Sequence, residues 1–171
     1  MAEKSKTLNW LTRTAVILAL TLVFQLLRFV IGSTPWTTYI IGSLVNLGLV
    51  AGVYAVDGWA GSVVALVAPI MALIQGHAPA PMVPVVMAGN LILVWTFALL
   101  KKKNWLIPIV PAALLKYALM AFGMALLVIG TVNSATLATA FTQQLVQLPT
   151  AVIGAVLARP VIAALGKRNE D

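Results

Sequence analysis

The stretch Trp10–Ile31, WLTRTAVILALTLVFQLLRFVI, decides the fold class, because it is a long apolar run with only two charged side chains, Arg13 and Arg28. A helix crosses the hydrocarbon core of a bilayer with about 20 predominantly apolar residues. No small-residue cleavage site follows the run, so it does not have the pattern of a signal peptide that is removed. The stretch predicts a first membrane-spanning helix.

The composition extends this prediction to the whole chain of 171 residues. Hydrophobic residues make up 61% of it and charged residues 9%, whereas soluble domains carry about 25% charged residues. The mean hydropathy is +1.03. Because the polar surface is too small to cover a soluble globule, most of the chain must face lipid. The absence of cysteine excludes disulfides and thiolate metal sites.

Hydropathy and loop composition divide the chain into six apolar segments, which predict an all-α integral membrane protein: a single domain, 1–171, with a bundle of six transmembrane helices. The segments are roughly 10–31, 39–56, 59–75, 84–100, 107–130 and 137–165. Only Asp57 and Gly58 join the second to the third, which predicts a tight helical hairpin. The sixth is overlong and contains Pro149 and Pro160, so we expect it to be kinked or partly outside the bilayer.

The basic residues predict the orientation, because cytoplasmic loops carry an excess of Lys and Arg. With an even number of spans, both termini lie on one side. That side holds most of the basic residues, namely Lys4, Lys6, Arg13, Lys101, Lys102, Lys103, Arg159, Lys167 and Arg168. The opposite loops, roughly 32–38, 76–83 and 131–136, contain no Lys or Arg. We therefore expect both termini in the cytoplasm, which explains most of the net charge of +7 without a nucleic acid partner.

Two basic residues, Arg28 and Lys116, break this pattern because they lie within predicted spans. Lys116 is expected near the midplane, where it could contact substrate, pair with neutral protein groups, or snorkel to the cytoplasmic surface. Arg28 fits either an anchor to lipid headgroups or a binding site. The acidic residues are all expected on the cytoplasmic side: Glu3, Asp57, Glu170 and Asp171. Neutral acceptors, water or a ligand anion must therefore satisfy the two cations.

Other polar and aromatic residues gather at the outer half of the predicted bundle, as in a pocket open to the outside. Gln143 and Gln147 are four residues apart and are expected to share a helix face. The candidates for substrate binding are Arg28, Trp36, Tyr39, Gln75, His77, Asn90, Lys116, Tyr117, Asn133, Gln143 and Gln147. Trp36, Tyr39 and Tyr117 would stack on a ring if they face inward. The substrate could be a carboxylate, a phosphate, an electron-rich heterocycle or a carbonyl-rich neutral molecule.

Catalytic signals are weak. The chain has one histidine, no cysteine and no carboxylate within a predicted span, which leaves no triad with a buried acid and no histidine-rich metal site. It contains no phosphate-binding glycine-rich loop, so it cannot hydrolyse ATP by that route. The sequence therefore predicts a binding protein that is not an enzyme and needs no cofactor or metal.

The first predicted helix carries Ala15 and Ala19 one turn apart, a small-xxx-small patch that allows close approach of another helix. Arg28 lies about 180° from Ala19 around this helix. Together with the Gly89-Asn90 pair, Lys116, the chain length and the six spans, this patch resembles the substrate-binding S components of energy-coupling factor (ECF) vitamin transporters.

The resemblance implies a subunit of the prokaryotic cytoplasmic membrane that captures a vitamin-like molecule from outside. Its partners would be a membrane coupling subunit and two cytoplasmic ATPases, with the Ala15–Ala19 face docking on the coupling subunit. Two alternatives stay open: a membrane enzyme acting on lipid or isoprenoid, with Lys116 and His77 as its polar centre, and a small transporter or assembly scaffold that works alone.

Overall fold

The structure, a computed structural model, describes residues 2–129 and 133–167, and these residues form a helical bundle. Its helices are α1 (Ala2–Ile31), α2 (Pro35–Ala55), α3 (Gly58–Ile74), α4 (Met82–Leu100), α5 (Ile109–Gly123), α6 (Ser134–Gln144) and α7 (Gln147–Lys167). A π-helical segment, Met124–Ile129, continues α5. The end of the predicted fifth span at Gly130, and the cytoplasmic placement of Arg168, Glu170 and Asp171, lie outside the described residues.

The all-helical prediction is confirmed for the described part of the chain. Five segments are long and apolar enough to cross a membrane, the last of them formed by α6 and α7 together, while α3 is shorter at 17 residues. This composition is that of a multi-pass membrane protein. The count of six spans and the side on which the termini lie stay predictions.

The predicted sixth span consists of two helices, α6 and α7, with a turn at Leu145 and Val146 between them. Pro149, the third residue of α7, explains the break. Inside a continuous helix its ring would clash with the carbonyl of Leu145, four residues earlier, whereas the first turn of a new helix accepts proline. Pro160 lies inside α7. The irregularity expected near Pro149 is therefore a helix boundary.

Helix α2 is the centre of the bundle, and it packs against α1, α3, α4 and α7. In α2, 56% of the most apolar window is buried, compared with 17% in α1. The largest fully buried side chains around it include Leu49, Leu93 and Phe97. Helix α1 therefore lies at the edge of the bundle with most of its surface uncovered.

Helices α2 and α7 pack closely against each other at Gly154. A Cβ atom at this position would lie 2.5 Å from Asn46 Cβ and 2.6 Å from the backbone oxygen of Ser43. Only a residue without a side chain fits against the backbone at this distance. Gly154 therefore fixes the position of α7 beside Asn46.

The helices alternate between two ends of the bundle, which we name by their turns. The basic end contains the turns at 56–57 and 101–108, and the cavity end contains those at 32–34 and 75–81. At the basic end, Trp10 Nε1 donates to Asp57 Oδ2 at 2.9 Å, and Asp57 Oδ1 accepts the backbone N–H of Ala60 at 2.8 Å, which caps α3. This pair of bonds ties α1 to the α2–α3 turn.

Candidate functional site

A cavity of about 160 Å³ extends from the cavity end towards the middle of the bundle. Helices α1 to α5, helix α7 and the turn after α3 all contribute to its walls. Its polar and charged lining residues are Gln25, Arg28, Thr38, Asn46, Gln75, His77, Asn90, Lys116 and Gln147. The remaining lining residues are aliphatic side chains, Gly42 and Pro69.

Lys116 lies at the inner end of this cavity and is 3% exposed. Its Nζ donates to Asn46 Oδ1 at 2.7 Å and to Asn90 Oδ1 at 2.8 Å. Both amides are almost completely buried. Lys116 therefore does not extend to the membrane surface, as snorkelling would require, and its partners in the described bundle are neutral.

The helix positions show how deep this centre lies. Asn90 is eight residues from the start of α4 at the cavity end, which corresponds to about 12 Å at 1.5 Å per residue. Asn46 is eleven residues into α2, or about 16 Å. In a hydrocarbon core of about 30 Å, these depths are near the middle. Arg28 is only three residues from the end of α1, so the two cations lie at different depths of the cavity.

Several buried polar atoms around the cavity have no hydrogen-bond partner. Gln25 Nε2 donates to the backbone oxygen of Ala68 at 3.1 Å, but its Oε1 is unpaired. Both side-chain amide atoms of Gln75 are unpaired, and so is Nε2 of His77. Buried polar groups are normally satisfied, because an unmade hydrogen bond costs about 1–3 kcal/mol. These atoms are therefore available to a ligand or to water.

The turn after α3 places Gln75 and His77 on the cavity. Gly76 between them has φ +71°, a left-handed conformation that favours glycine. Its N–H donates to the oxygen of Leu73, and that of His77 donates to the oxygen of Ala72, both at 2.9 Å, which forms a Schellman motif. This motif ends α3 and brings both flanking side chains to the mouth of the cavity.

The surroundings of His77 determine its ring contact and its pKa. Its ring lies 5.0 Å from the ring of Phe29, measured between centroids. Partial removal from water lowers the pKa of His77, and the positive charge of Arg28 lowers that pKa further. The neutral imidazole is therefore favoured, and one of its ring nitrogens can accept a hydrogen bond.

The charges of the lining are of one sign. Arg28 and Lys116 are basic, and no Asp or Glu is among the described residues of the lining. These described lining residues also include no Phe, Tyr or Trp. The arrangement can therefore bind an anion or a hydrogen-bonding group, but it offers an organic cation no counter-charge and an aromatic ligand no stacking surface other than His77.

Six of the predicted site residues meet at the cavity: Arg28, Gln75, His77, Asn90, Lys116 and Gln147. They come from α1, α4, α5, α7 and the turn after α3, so the tertiary packing brings them together. Their common function in binding stays a prediction.

Trp36 and Tyr39 do not line the cavity. Trp36 is 76% exposed and Tyr39 is 39% exposed, and their ring centroids are 6.1 Å apart. The cavity face of α2 includes Thr38. At 100° per residue, Trp36 lies about 160° from Thr38 around the helix, so its ring points away from the cavity. Tyr39 lies only about 20° from Asn46 around the helix, but it is not among the residues that line the cavity.

Tyr117 and Asn133 have local structural contacts outside the cavity. The hydroxyl of Tyr117 donates to the backbone oxygen of Phe141 at 3.1 Å, and the two rings are edge to face at 5.5 Å. Asn133 caps α6, because its side chain accepts the backbone N–H of Thr136 at 3.0 Å. Tyr117 therefore connects α5 to α6, and Asn133 begins α6.

Gln143 and Gln147 do not share a face, because the turn at Leu145 and Val146 separates their helices. Gln143 is exposed, whereas its neighbour Gln144 is buried. Gln147 Nε2 donates to Gln144 Oε1 at 3.4 Å. The predicted shared face of Gln143 and Gln147 is therefore wrong, and Gln147 bonds with Gln144 instead.

Three polar residues that line the cavity are not among the residues predicted from the sequence: Gln25, Thr38 and Asn46. Gln25 precedes Arg28 by three residues, so the two share a face of α1. That spacing was the available signal for Gln25. Asn46 is an isolated amide in an apolar helix, and its only signal was the rarity of asparagine there.

The surface of α1 that carries Ala15 and Ala19 is exposed, as are Val16, Leu20 and Val23 on the same helix. Arg28 and Gln25, by contrast, line the cavity. Helix α1 thus presents an uncovered apolar surface along part of its length and cavity residues near its end. Whether a partner covers Ala15 and Ala19 stays a prediction.

Comparison of the chain with protein-family models, with curated proteins and with solved structures found no match.

Proposed function

We propose that the chain is the substrate-binding subunit of an ECF-type importer in a prokaryotic cytoplasmic membrane. In this proposal it has six transmembrane spans with both termini in the cytoplasm. It captures a small vitamin-like molecule from outside and delivers it through a separate membrane coupling subunit and two cytoplasmic ATPases. No catalytic role is assigned to any of its residues.

The observation that carries the proposal is the cavity with unpaired polar atoms beside the buried Lys116. Gln25, Gln75 and His77 have acceptors or donors without protein partners, and a ligand in the cavity can supply the missing hydrogen bonds. Such a cavity supports binding of one small, polar molecule within an apolar bundle.

The exposed apolar face of α1 supports the requirement for a partner. Ala15 and Ala19 are small enough to allow another helix to approach closely, and the helix is covered by its own bundle over only a small part of its surface. The candidate occupant is the coupling subunit. This assignment rests on the resemblance of the first helix to those of S components.

A thermal-shift screen of the purified chain against vitamins and their precursors tests the binding function. A ligand at 100 times its Kd should stabilise the protein by about 2.7 kcal/mol. Uptake assays with and without a coupling module then test the importer function. Binding without ATP, and uptake only with the partners, are expected.

Two results would contradict the proposal. Uptake into liposomes by the chain alone would identify a self-sufficient transporter. Turnover of a lipid or isoprenoid by the purified chain, lost in His77→Ala, would identify a membrane enzyme.

A further inference from the structure

The cavity contains an unbalanced charge in its deepest part. Lys116 Nζ uses two of its three possible donor positions on Asn46 and Asn90. In the part of the chain that the structure describes, no carboxylate lines the cavity to neutralise it. Burying an ammonium group without a counter-charge is unfavourable, and a ligand anion that accepts the third N–H would remove much of that cost.

Between Lys116 and the mouth, and at the mouth itself, the cavity offers neutral hydrogen-bonding groups. Gln25 Oε1 is an unpaired acceptor, and it is close in sequence to the outer end of α1. Gln75 leaves both of its amide atoms unpaired, so it offers one donor and one acceptor whichever way the amide is turned. A ligand that fills this part therefore carries a neutral donor and a neutral acceptor, as an amide or a hydroxyl group does.

Arg28 and His77 lie at the outer part of the cavity. The charge of Arg28 there attracts an anion into the cavity, because low-dielectric walls concentrate the field of a charge. An organic cation would meet Arg28 first and Lys116 last, without any acidic side chain between them in the lining.

The size and the walls restrict the ligand further. The volume of about 160 Å³ is below the ~300 Å³ at which pockets begin to hold drug-sized ligands. No Phe, Tyr or Trp is among the described residues that line the cavity, so His77 is the one aromatic ring there that could stack on a planar ligand. A small, saturated molecule fits these walls better than a fused heterocycle.

We propose that the ligand is a small, non-aromatic organic monoanion, whose carboxylate is bound by Lys116 and whose amide or hydroxyl groups are bound by Gln25 and Gln75. This inference rests on the proposed function, because it names the substrate class of the same site. A singly charged carboxylate is favoured over a phosphate, since a dianion costs more to remove from water and meets a single ammonium at the inner end.

Calorimetric titration of the full-length protein in detergent with four matched probes tests the ligand class. All four share an acetamide group and differ at the other end: N-acetyl-β-alanine is a carboxylate, N-acetyl-β-alaninamide is neutral, N-acetylethylenediamine is a cation and N-acetyl-2-aminoethylphosphonate is a phosphonate. The carboxylate should bind about tenfold or more tightly than the amide. The phosphonate should bind more weakly than the carboxylate, and the cation should not bind.

Three variants connect the preference to the cavity. Lys116→Gln should reduce the affinity for the carboxylate to that for the amide. Arg28 is half-exposed, so its replacement should disturb folding less than that of Lys116. Arg28→Gln should slow association of the carboxylate and reduce the salt dependence of the association rate. Gln143→Ala, outside the cavity, should bind all four probes like the unmodified protein.

The proposal is overturned if the amide or the cation binds as tightly as the carboxylate, if the phosphonate binds best, or if no probe binds at millimolar concentration. Different results would show that the proposed importer function is wrong. Partner-dependent uptake of a neutral or cationic vitamin would overturn the ligand class alone. Carboxylate binding without partner-dependent uptake would overturn the importer function alone.

Discussion

Because Lys116 is buried and has only neutral partners among the described residues, the side-chain amides of Asn46 and Asn90 are important for stability. Asn46 and Asn90 accept its N–H groups at 2.7 and 2.8 Å. Each amide is itself almost fully buried, so its oxygen has no access to water as an alternative partner. The three side chains connect α2, α4 and α5 in the middle of the bundle, where the apolar core alone would leave the helix positions less defined.

Replacing Asn46 tests the contribution of this centre. Asn46→Ala removes one acceptor from a buried charged donor, and we expect it to lower the free energy of unfolding by about 1.5–3 kcal/mol. Thermal unfolding in detergent measures the loss. Gln143→Ala, at an exposed position, should change the stability by less than about 0.5 kcal/mol. Equal melting temperatures for Asn46→Ala and the unmodified protein would contradict the expectation.

His77 should make the stability depend on pH. Its pKa in the folded protein is lowered, first by removal from water and then by Arg28, whereas in the unfolded chain it is close to 6.5. The unfolded state therefore binds more protons, and stability is lost as the pH falls through 6.5 towards the folded value. Melting temperatures between about pH 5 and pH 8 should show this loss.

His77→Gln provides the matched comparison, because glutamine keeps a polar side chain but does not titrate. Its melting temperature should fall less at acidic pH than that of the unmodified protein. Arg28→Gln removes the effect of the Arg28 charge on the pKa of His77 but not the effect of burial. The melting temperature of this variant should therefore depend on pH to an intermediate extent. Identical profiles for His77→Gln and the unmodified protein would show that His77 does not contribute.

The sequence identifies cavity residues better when they are charged or lie in a turn than when their place depends on which face of a helix they occupy. Lys116 and Arg28 are conspicuous in apolar spans, and Gln75 and His77 flank a glycine in an expected turn. The sequence does not show that Trp36 and Tyr39 are absent from the cavity lining, because their place at the outer end of α2 does not determine the direction in which they point. Side-chain direction depends on the rotation of the helix against its neighbours, which packing sets.

Among the elements, α7 is placed by its contact with α2 at Gly154. Gly154→Ala would force a methyl group against backbone atoms of α2, so we expect a loss of roughly 1–3 kcal/mol and a displaced Asn46. The melting temperature and the affinity for the carboxylate probe should both fall. In Gly89→Ala the nearest atoms belong to the flexible side chain of Met120, and the loss should be smaller. A larger loss for Gly89→Ala would contradict this packing.

The uncovered face of α1 predicts an effect on the partner rather than on the bundle. Ala19→Trp should leave the melting temperature and ligand binding unchanged, but abolish uptake with the coupling module. Ala155→Trp, in a pair with Ala151 of the same spacing on α7, is the matched contrast because both alanines are buried. It should destabilise the fold by overpacking. Loss of ligand binding in Ala19→Trp would contradict the docking function of this face.

The ends of α1 and α2, and both bounds of α3 and α4, lie within two residues of the predicted spans, and Asp57 caps α3. Helix α2 begins four residues earlier than predicted, where Thr34 caps it and Pro35 is its first residue. The extra N-terminal part of α1 was not predicted, because polar residues such as Lys4 and Lys6 lack the apolar signal of a span. The separation of α6 from α7 was only partly predicted. Pro149 indicated an irregularity, but a proline near a helix start and a proline in a kink have the same sequence signal.

For the whole molecule, the orientation can be tested directly because the chain contains no cysteine. Ser33→Cys at the cavity end should react in intact cells with a maleimide that cannot cross the membrane. Ser5→Cys near the N-terminus and Asn104→Cys at the basic end should react only after lysis. Labelling of Asn104→Cys in intact cells would reverse the assigned orientation, and labelling of all three would contradict an intact multi-pass topology.

Helix α1 joins parts of the molecule that are far apart. It is bonded to the α2–α3 turn through Trp10 at one end, carries Ala15 and Ala19 on its surface, and ends with Gln25 and Arg28 on the cavity. Its 30 residues measure about 45 Å, so a tilt of α1 at Arg28 would also displace the surface that carries Ala15 and Ala19. If the proposed coupling subunit docks there, the ligand and the partner are coupled through a single helix. Thermodynamic reciprocity would then require that the partner changes the affinity for the ligand by the same factor with which the ligand changes the affinity for the partner.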